Sequence, residues 1–161
     1  MINEHSLSRL AAVMASVLVC LSAACGGTTT TRSAVTGQPW TPASNLEPSD
    51  LAHELAQPTG KPVVVYVGPP FLYRQGHIPG AVLHGAASTA EGLADLEQWA
   101  RSLPQSTNLV IYCGCCPLDD CPNLKPAFLA LQPMGFTRLR VLILPNNFAT
   151  DWVEKGYPVE R

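Results

Sequence analysis

Between residues 45 and 161, short apolar runs alternate with amphipathic stretches, the rhythm of β–α–β units in a parallel sheet. Ser49 is placed to cap a short helix that sets Leu51 and Leu55 on one face. The β-branched run Pro62–Val67 predicts a strand stopped by Gly68-Pro69-Pro70, and Val82-Leu83 predicts a very short one. Ser88 and Glu91 stand at capping-box spacing ahead of Leu93, Leu96, Ala100 and Leu103, which recur at helical period until Pro104. Leu109–Tyr112 is an unbroken apolar run, the pattern of a central strand covered on both faces. Leu124, Ala127, Phe128, Leu131 and Met134 then line a helix ended by Gly135. Pro126 is tolerated there because it falls in the first turn, where its missing N–H leaves no bond unmade. A strand over Leu139–Leu144 follows, and Asn147 is placed to cap a last short helix carrying Phe148 and Trp152. These spacings make core packing the default for Trp99, Phe128, Phe136 and Trp152.

The first 45 residues follow a different pattern. Arg9 precedes the apolar stretch Leu10–Ala24, which is too short for a bilayer core of ~30 Å that needs about 20 helical residues. A short apolar region followed by small residues has the form of an export signal over residues 1–24. Cys25, directly after Leu21-Ser22-Ala23-Ala24, resembles the cysteine of a bacterial lipoprotein box, which becomes the acylated N-terminus. That resemblance implies an exported protein held to a membrane through Cys25, on the periplasmic face, and Gly26 in the next position points to the outer membrane. The alternative is a soluble secreted chain with a free Cys25. Residues 25–45 are rich in Gly, Thr, Ser, Pro and Gln, the composition of a flexible tether reaching ~25 Å, with Trp40 the one large residue able to dock on the domain.

One domain of ordinary size fits the remaining length, residues 46–161. A net charge of -2 shows no basic surplus, so nucleic acid is not an expected partner. Of six cysteines, Cys20 leaves with the signal and Cys25 is the anchor, while Cys113, Cys115, Cys116 and Cys121 fall within nine positions. A disulfide framework would spread its cysteines over distant segments, so this cluster describes one site. Cys113 stands at the end of the central strand, ahead of a loop and a helix beginning near Leu124. In open α/β sheets ligands bind beyond the carboxyl ends of the strands. A helix N-terminus aimed there lowers a thiol's pKa, which makes Cys113 the expected sulfur nucleophile.

Gly76-His77-Ile78-Pro79-Gly80-Ala81 matches the Gly-His-Ile-Pro-Gly-Ala turn of rhodanese-like domains. The strand ending Tyr112-Cys113, the helix ending Gly135-Phe136, the strand Arg138–Leu144, Trp152 and Gly156-Tyr157-Pro158-Val159 follow in that family's order. The resemblance implies a single α/β rhodanese-like domain, a small parallel sheet with helices on both faces. It implies a rhodanese-type sulfurtransferase that carries a persulfide on Cys113 and has no cofactor. Its partners would be a small sulfur donor and a thiol acceptor. The substrate loop would comprise Gly114, Cys115, Cys116, Leu118 and Cys121, with backbone N–H groups cradling the sulfur. The chain departs from the family where Asp-Val-Arg is usual and Tyr66-Val67-Gly68 stands, and where Gly-Gly is usual and Asn146-Asn147 stands. Its loop is also longer, and acidic at Asp119 and Asp120, whose charges would raise the thiol pKa.

Other readings of the cluster stay open. Cys115, Cys116 or Cys121 could resolve a persulfide or be paired already, with Cys113 or Cys121 in any disulfide because adjacent cysteines bond only under strain. The four thiols could hold Zn²⁺ or copper(I). A non-catalytic binding module is the remaining class, favoured by the lost acidic–basic pair. A phosphatase would need an arginine where Asp119 stands. His77 and His84 are expected to make structural hydrogen bonds. If Cys25 is the acylated residue, the processed protein partitions into the detergent phase of an extract; Cys25→Ser moves it to the aqueous phase, unprocessed.

Overall fold

In a computed structural model the described residues are 37–161. The signal segment, Cys20, Cys25 and the tether up to residue 36 lie outside them. Five strands form one sheet: β1 (Asn45–Leu46), β2 (Val63–Tyr66), β3 (Val82–Leu83), β4 (Asn108–Tyr112) and β5 (Arg138–Leu142). Their order is β1-β5-β4-β2-β3, and every pairing is parallel. Four α-helices connect them: α1 (Pro48–Ala56), α2 (Pro70–Gln75), α3 (Ala90–Ala100) and α4 (Leu124–Leu131). A five-residue π-helical turn over Ala149–Val153 closes the domain. Among the described residues, no helix is long and apolar enough to cross a membrane.

Strand alternation sorts the apolar residues into two layers. Val65, Val67, Leu109, Ile111, Cys113 and Val141 face α3 and α4, where they meet Leu96, Ala100, Ala127, Phe128 and Leu131. Val64, Tyr66, Val110, Tyr112 and Leu142 face the other way, onto Leu51 of α1, Ile78 and Trp152. Helices therefore cover both faces, and β4 is buried on both, as its unbroken apolar run requires. Each fully buried Leu or Ile contributes about 1.5–3 kcal/mol to holding these layers.

Several local expectations change. Pro48, at the first helical position, opens α1, and Ser49 caps nothing. Thr89 rather than Ser88 caps α3, its hydroxyl accepting the Gly92 amide at 3.1 Å. Ser88 instead donates its amide to the Asn123 side chain. Gly68-Pro69-Pro70 ends β2 as expected but also starts α2, since a proline suits a first helical turn. The packed chain reaches back beyond residue 46. Asn45 pairs in β1, and Trp40 is 7% exposed with its ring 5.4 Å from that of Phe128. Asn147 does cap the final turn, its Oδ1 accepting the Thr150 amide at 2.9 Å.

One ion pair ties three elements together. Arg140 of β5 donates from Nη1 and Nη2 to the two carboxylate oxygens of Glu54 on α1, at 2.7 and 2.6 Å, and from Nη2 to Asn108 of β4. Arg140 lowers the Glu54 pKa below its ordinary value, against partial burial. A carboxylate with a depressed folded-state pKa stabilises above its unfolded pKa and loses that contribution as pH falls through the folded value. Partial exposure screens the pair, so Glu54→Gln should destabilise the domain by about 1 kcal/mol near neutral pH. Thermal melts should show the difference between variant and wild type disappearing at acid pH; a constant difference would assign the loss to packing.

Candidate functional site

Cys113 follows the last residue of β4 and keeps the strand's alternation, so its side chain turns toward α4 and is 1% exposed. The loop then has to leave the sheet sharply. Gly114 does this with φ of +73°, a conformation that L side chains avoid. A Cβ there would also lie 2.7 Å from Phe148 Cβ, while the Phe148 amide donates to the Gly114 carbonyl at 3.0 Å. Beyond Cys115 and Cys116 a 3-10 turn over Leu118–Asp120 returns the chain to Cys121. Leu118 is buried in the core and anchors this loop through its amide to the Pro145 carbonyl.

The four cysteines are free thiols and converge. Cys113 Sγ lies 3.2 Å from Cys115 Sγ, which lies 3.1 Å from Cys116 Sγ. The sulfurs of Cys113, Cys115 and Cys121 are all within 4.8 Å of one another. Asn123, 1% exposed, points its Nδ2 at Cys113 and Cys115, at 3.5 and 3.9 Å. The Ser88 amide donates to Asn123 Oδ1 at 3.0 Å, which fixes the donating nitrogen toward the sulfurs. The sequence marks Asn123 only as a polar residue just ahead of α4, which suggests a helix cap, a role its side chain does not take.

This geometry distributes charge unevenly. Cys115 receives the Cys113 thiol, neighbouring thiols and the Asn123 amide, and its pKa falls to about 5. The Cys113 thiol is pushed far up, because it donates to Cys115, lies against Cys121 and is buried. Cys121 is lowered, by the Cys113 thiol and by the Asn123 and Leu124 amides at the start of α4. Burial and contact with Cys115 push Cys116 up to about 12. The opening amides of α4 thus act on Cys121, while the Cys115 amide acts on Cys113. The expected ring of amides is not formed around the Cys113 thiol: among the described residues its hydrogen-bonding nitrogen is Asn123 Nδ2, at 3.5 Å. The carboxylates of Asp119 and Asp120 are turned outward on the exposed 3-10 turn, Asp119 accepting from Gln38 at 3.3 Å. Neighbouring thiols and burial, not these carboxylates, set the Cys113 proton.

Cys113, Gly114 and Cys115 line a cavity of about 320 Å³, walled by Tyr66, Phe148 and Val159. Of the expected loop residues, Cys116, Leu118 and Cys121 do not line it. His77 and His84 are both structural. His77 stacks on Tyr73 and pairs its ring with the Tyr73 carbonyl at 3.0 Å, while His84 contacts Asp95 at 2.9 Å and stacks on Trp99.

No protein-family model matches the chain, and no curated protein matches it. Solved structures do match its fold. The BH2092 protein of Bacillus halodurans is 22% identical over 72% of this chain and 75% of its own, with a TM-score of 0.56. The rhodanese-like domain of the Anabaena Alr3790 protein is 21% identical over 73% and 78%, with a TM-score of 0.53. The single-domain sulfurtransferase RDL2 of Saccharomyces cerevisiae is 15% identical over 70% and 90%, with a TM-score of 0.51. The chain has the rhodanese-like fold, with a cluster of cysteines at the end of its central strand.

The charge distribution has a direct readout. Cys115 should be the first thiol alkylated by iodoacetamide, with a rate that levels off well below pH 7, and Cys113→Ser should move its titration toward the ordinary thiol value of 9.0. Peptide mapping that finds Cys113 modified first would contradict the distribution.

Proposed function

We propose that this domain is a sulfurtransferase that carries sulfur as a persulfide on Cys113, in an exported protein anchored to a membrane through Cys25. The single observation that carries this reading is the 3.2 Å contact of the Cys113 thiol with the low-pKa Cys115 sulfur, both residues lining the cavity. Two thiols so close titrate together, and their one negative charge belongs to the pair. In loading, Cys113 passes its proton to Cys115, and Cys113 Sγ attacks the outer sulfur of a small donor, R–S–S⁻. The donor's S–S bond breaks, R–S⁻ leaves, and Cys113–S–S⁻ remains. In discharge an acceptor thiolate attacks the outer sulfur and departs as R′–S–S⁻, while Cys113 takes back its proton from Cys115. No electrons are gained or lost overall, so no reductant is needed. The RDL2 structure shares the fold, and its name is that of a sulfurtransferase.

One observation favours a second reading. Cys113, Cys115 and Cys121 offer three sulfurs close enough to share one thiophilic cation, copper(I) or Zn²⁺. Cys116 stands outside that set of three.

Cys113→Ser should abolish sulfur transfer from an inorganic polysulfide to a thiol acceptor. Cys115→Ser should slow loading at neutral pH by about 10²-fold and recover at high pH, as loss of a proton acceptor demands. Mass spectrometry of the wild type should show one added sulfur on Cys113. Full transfer by Cys113→Ser would remove it as carrier, and a retained metal adduct without added sulfur would favour the cation site.

A further inference from the structure

Three tyrosines pack ring against ring beside the cavity. The Tyr66 centroid lies 5.1 Å from that of Tyr112 and 5.7 Å from that of Tyr73. The Tyr112 hydroxyl accepts the Ile78 amide at 3.1 Å, and the Tyr73 hydroxyl donates to the Ala81 carbonyl. The Tyr66 hydroxyl has no partner, although the residue is 3% exposed and its oxygen is shut from bulk solvent. Folded proteins pair nearly all such groups, because an unpaired buried hydroxyl forfeits its hydration for nothing. The other unpaired buried atoms among the described residues, Asn45 Oδ1 and Arg140 Nε, belong to residues that do not line this cavity.

Gly68 explains how the hydroxyl comes beside the thiol. A Cβ on Gly68 would lie 2.5 Å from the Tyr66 hydroxyl oxygen and 2.7 Å from Cys113 Sγ, so both atoms crowd one point that only glycine leaves free. They nevertheless make no hydrogen bond to each other. A sulfur added to Cys113 sits about 2 Å beyond Sγ, a length suited to closing such a separation. The remaining donors are already committed: Asn123 faces the Cys113 and Cys115 sulfurs, and the first amides of α4 face Cys121.

We propose that the Tyr66 hydroxyl donates a hydrogen bond to the outer sulfur of the Cys113 persulfide, which makes Tyr66 the residue that binds the carried sulfur and slows its discharge. The inference rests on the sulfur-transfer reading above and assigns it a donor that no motif in the chain singles out. Burial, then the charge of the neighbouring cysteines, raises the Tyr66 pKa far above its usual value, so the hydroxyl keeps its proton at every working pH. A neutral donor that is itself buried stabilises the negative outer sulfur without adding a cation.

The test compares full-length wild type, Tyr66→Phe and Tyr73→Phe. Each is loaded with an inorganic polysulfide, and the persulfide is then consumed by cyanide, which removes the outer sulfur as thiocyanate and leaves the Cys113 thiolate. Tyr66→Phe should melt at or above the wild-type temperature, since it loses only an unpaired hydroxyl, yet its persulfide should decay at least about tenfold faster. Tyr73→Phe should melt lower, with an unchanged decay. Equal decay in wild type and Tyr66→Phe overturns the role of Tyr66 and leaves the sulfur-transfer reading standing. A Tyr66→Phe melt well below wild type assigns the hydroxyl to the fold and also overturns it. A wild type that takes up no sulfur overturns both readings.

Discussion

Parallel pairing of β4 with β2 on one edge and β5 on the other decides what the site can be. With both edges hydrogen-bonded and both faces packed, a slip of one residue would carry every side chain of the strand to the wrong layer. The register is therefore stiff, and the stiffness passes to the first residue beyond the strand. Cys113 is delivered to the α4 side, while Tyr112 and its register partner Tyr66 are delivered to the other. Only past the ends of β2 and β4, where Val67 donates to the Tyr112 carbonyl and Gly68 carries no side chain, do groups from the two layers approach one another.

Negative sulfur is accommodated here by uncharged donors. Thiol protons, a carboxamide and the opening amides of a helix share the work across Cys115 and Cys121. Such an arrangement holds a single charge well and a cluster of charges poorly, because each added thiolate removes a thiol proton that served its neighbour. The outward-facing carboxylates of the 3-10 turn bear on what approaches from solvent rather than on the buried sulfurs.

Much of the sheet was legible in the sequence because its signals are local. The unbroken run of β4, the β-branched run of β2 and the period of α3 and α4 each follow from burial on the faces they present. Elements held by others were not legible. β1 is two residues long and exists through its pairing with β5, and α2 follows a proline pair that marks a stop as readily as a start. The cysteine cluster was legible from spacing alone, but its internal hierarchy was not. Which sulfur holds the charge depends on where the loop between β4 and α4 sets Cys121 and Asn123, and on the Ser88 amide arriving from a segment 35 positions away. Tyr66 and Gly68 registered in the sequence as departures from a family pattern; their convergence on one point is a property of the folded chain.

The orientation of Asn123 carries a chemical vulnerability. Its amide nitrogen serves the sulfurs while its oxygen is held by the Ser88 amide. Hydrolysis of that one carboxamide would replace the donating –NH₂ with an anionic oxygen aimed at Cys113 and Cys115. A change of a single atom would turn the pocket's attraction for electron-rich sulfur into repulsion, with the shape of the backbone untouched.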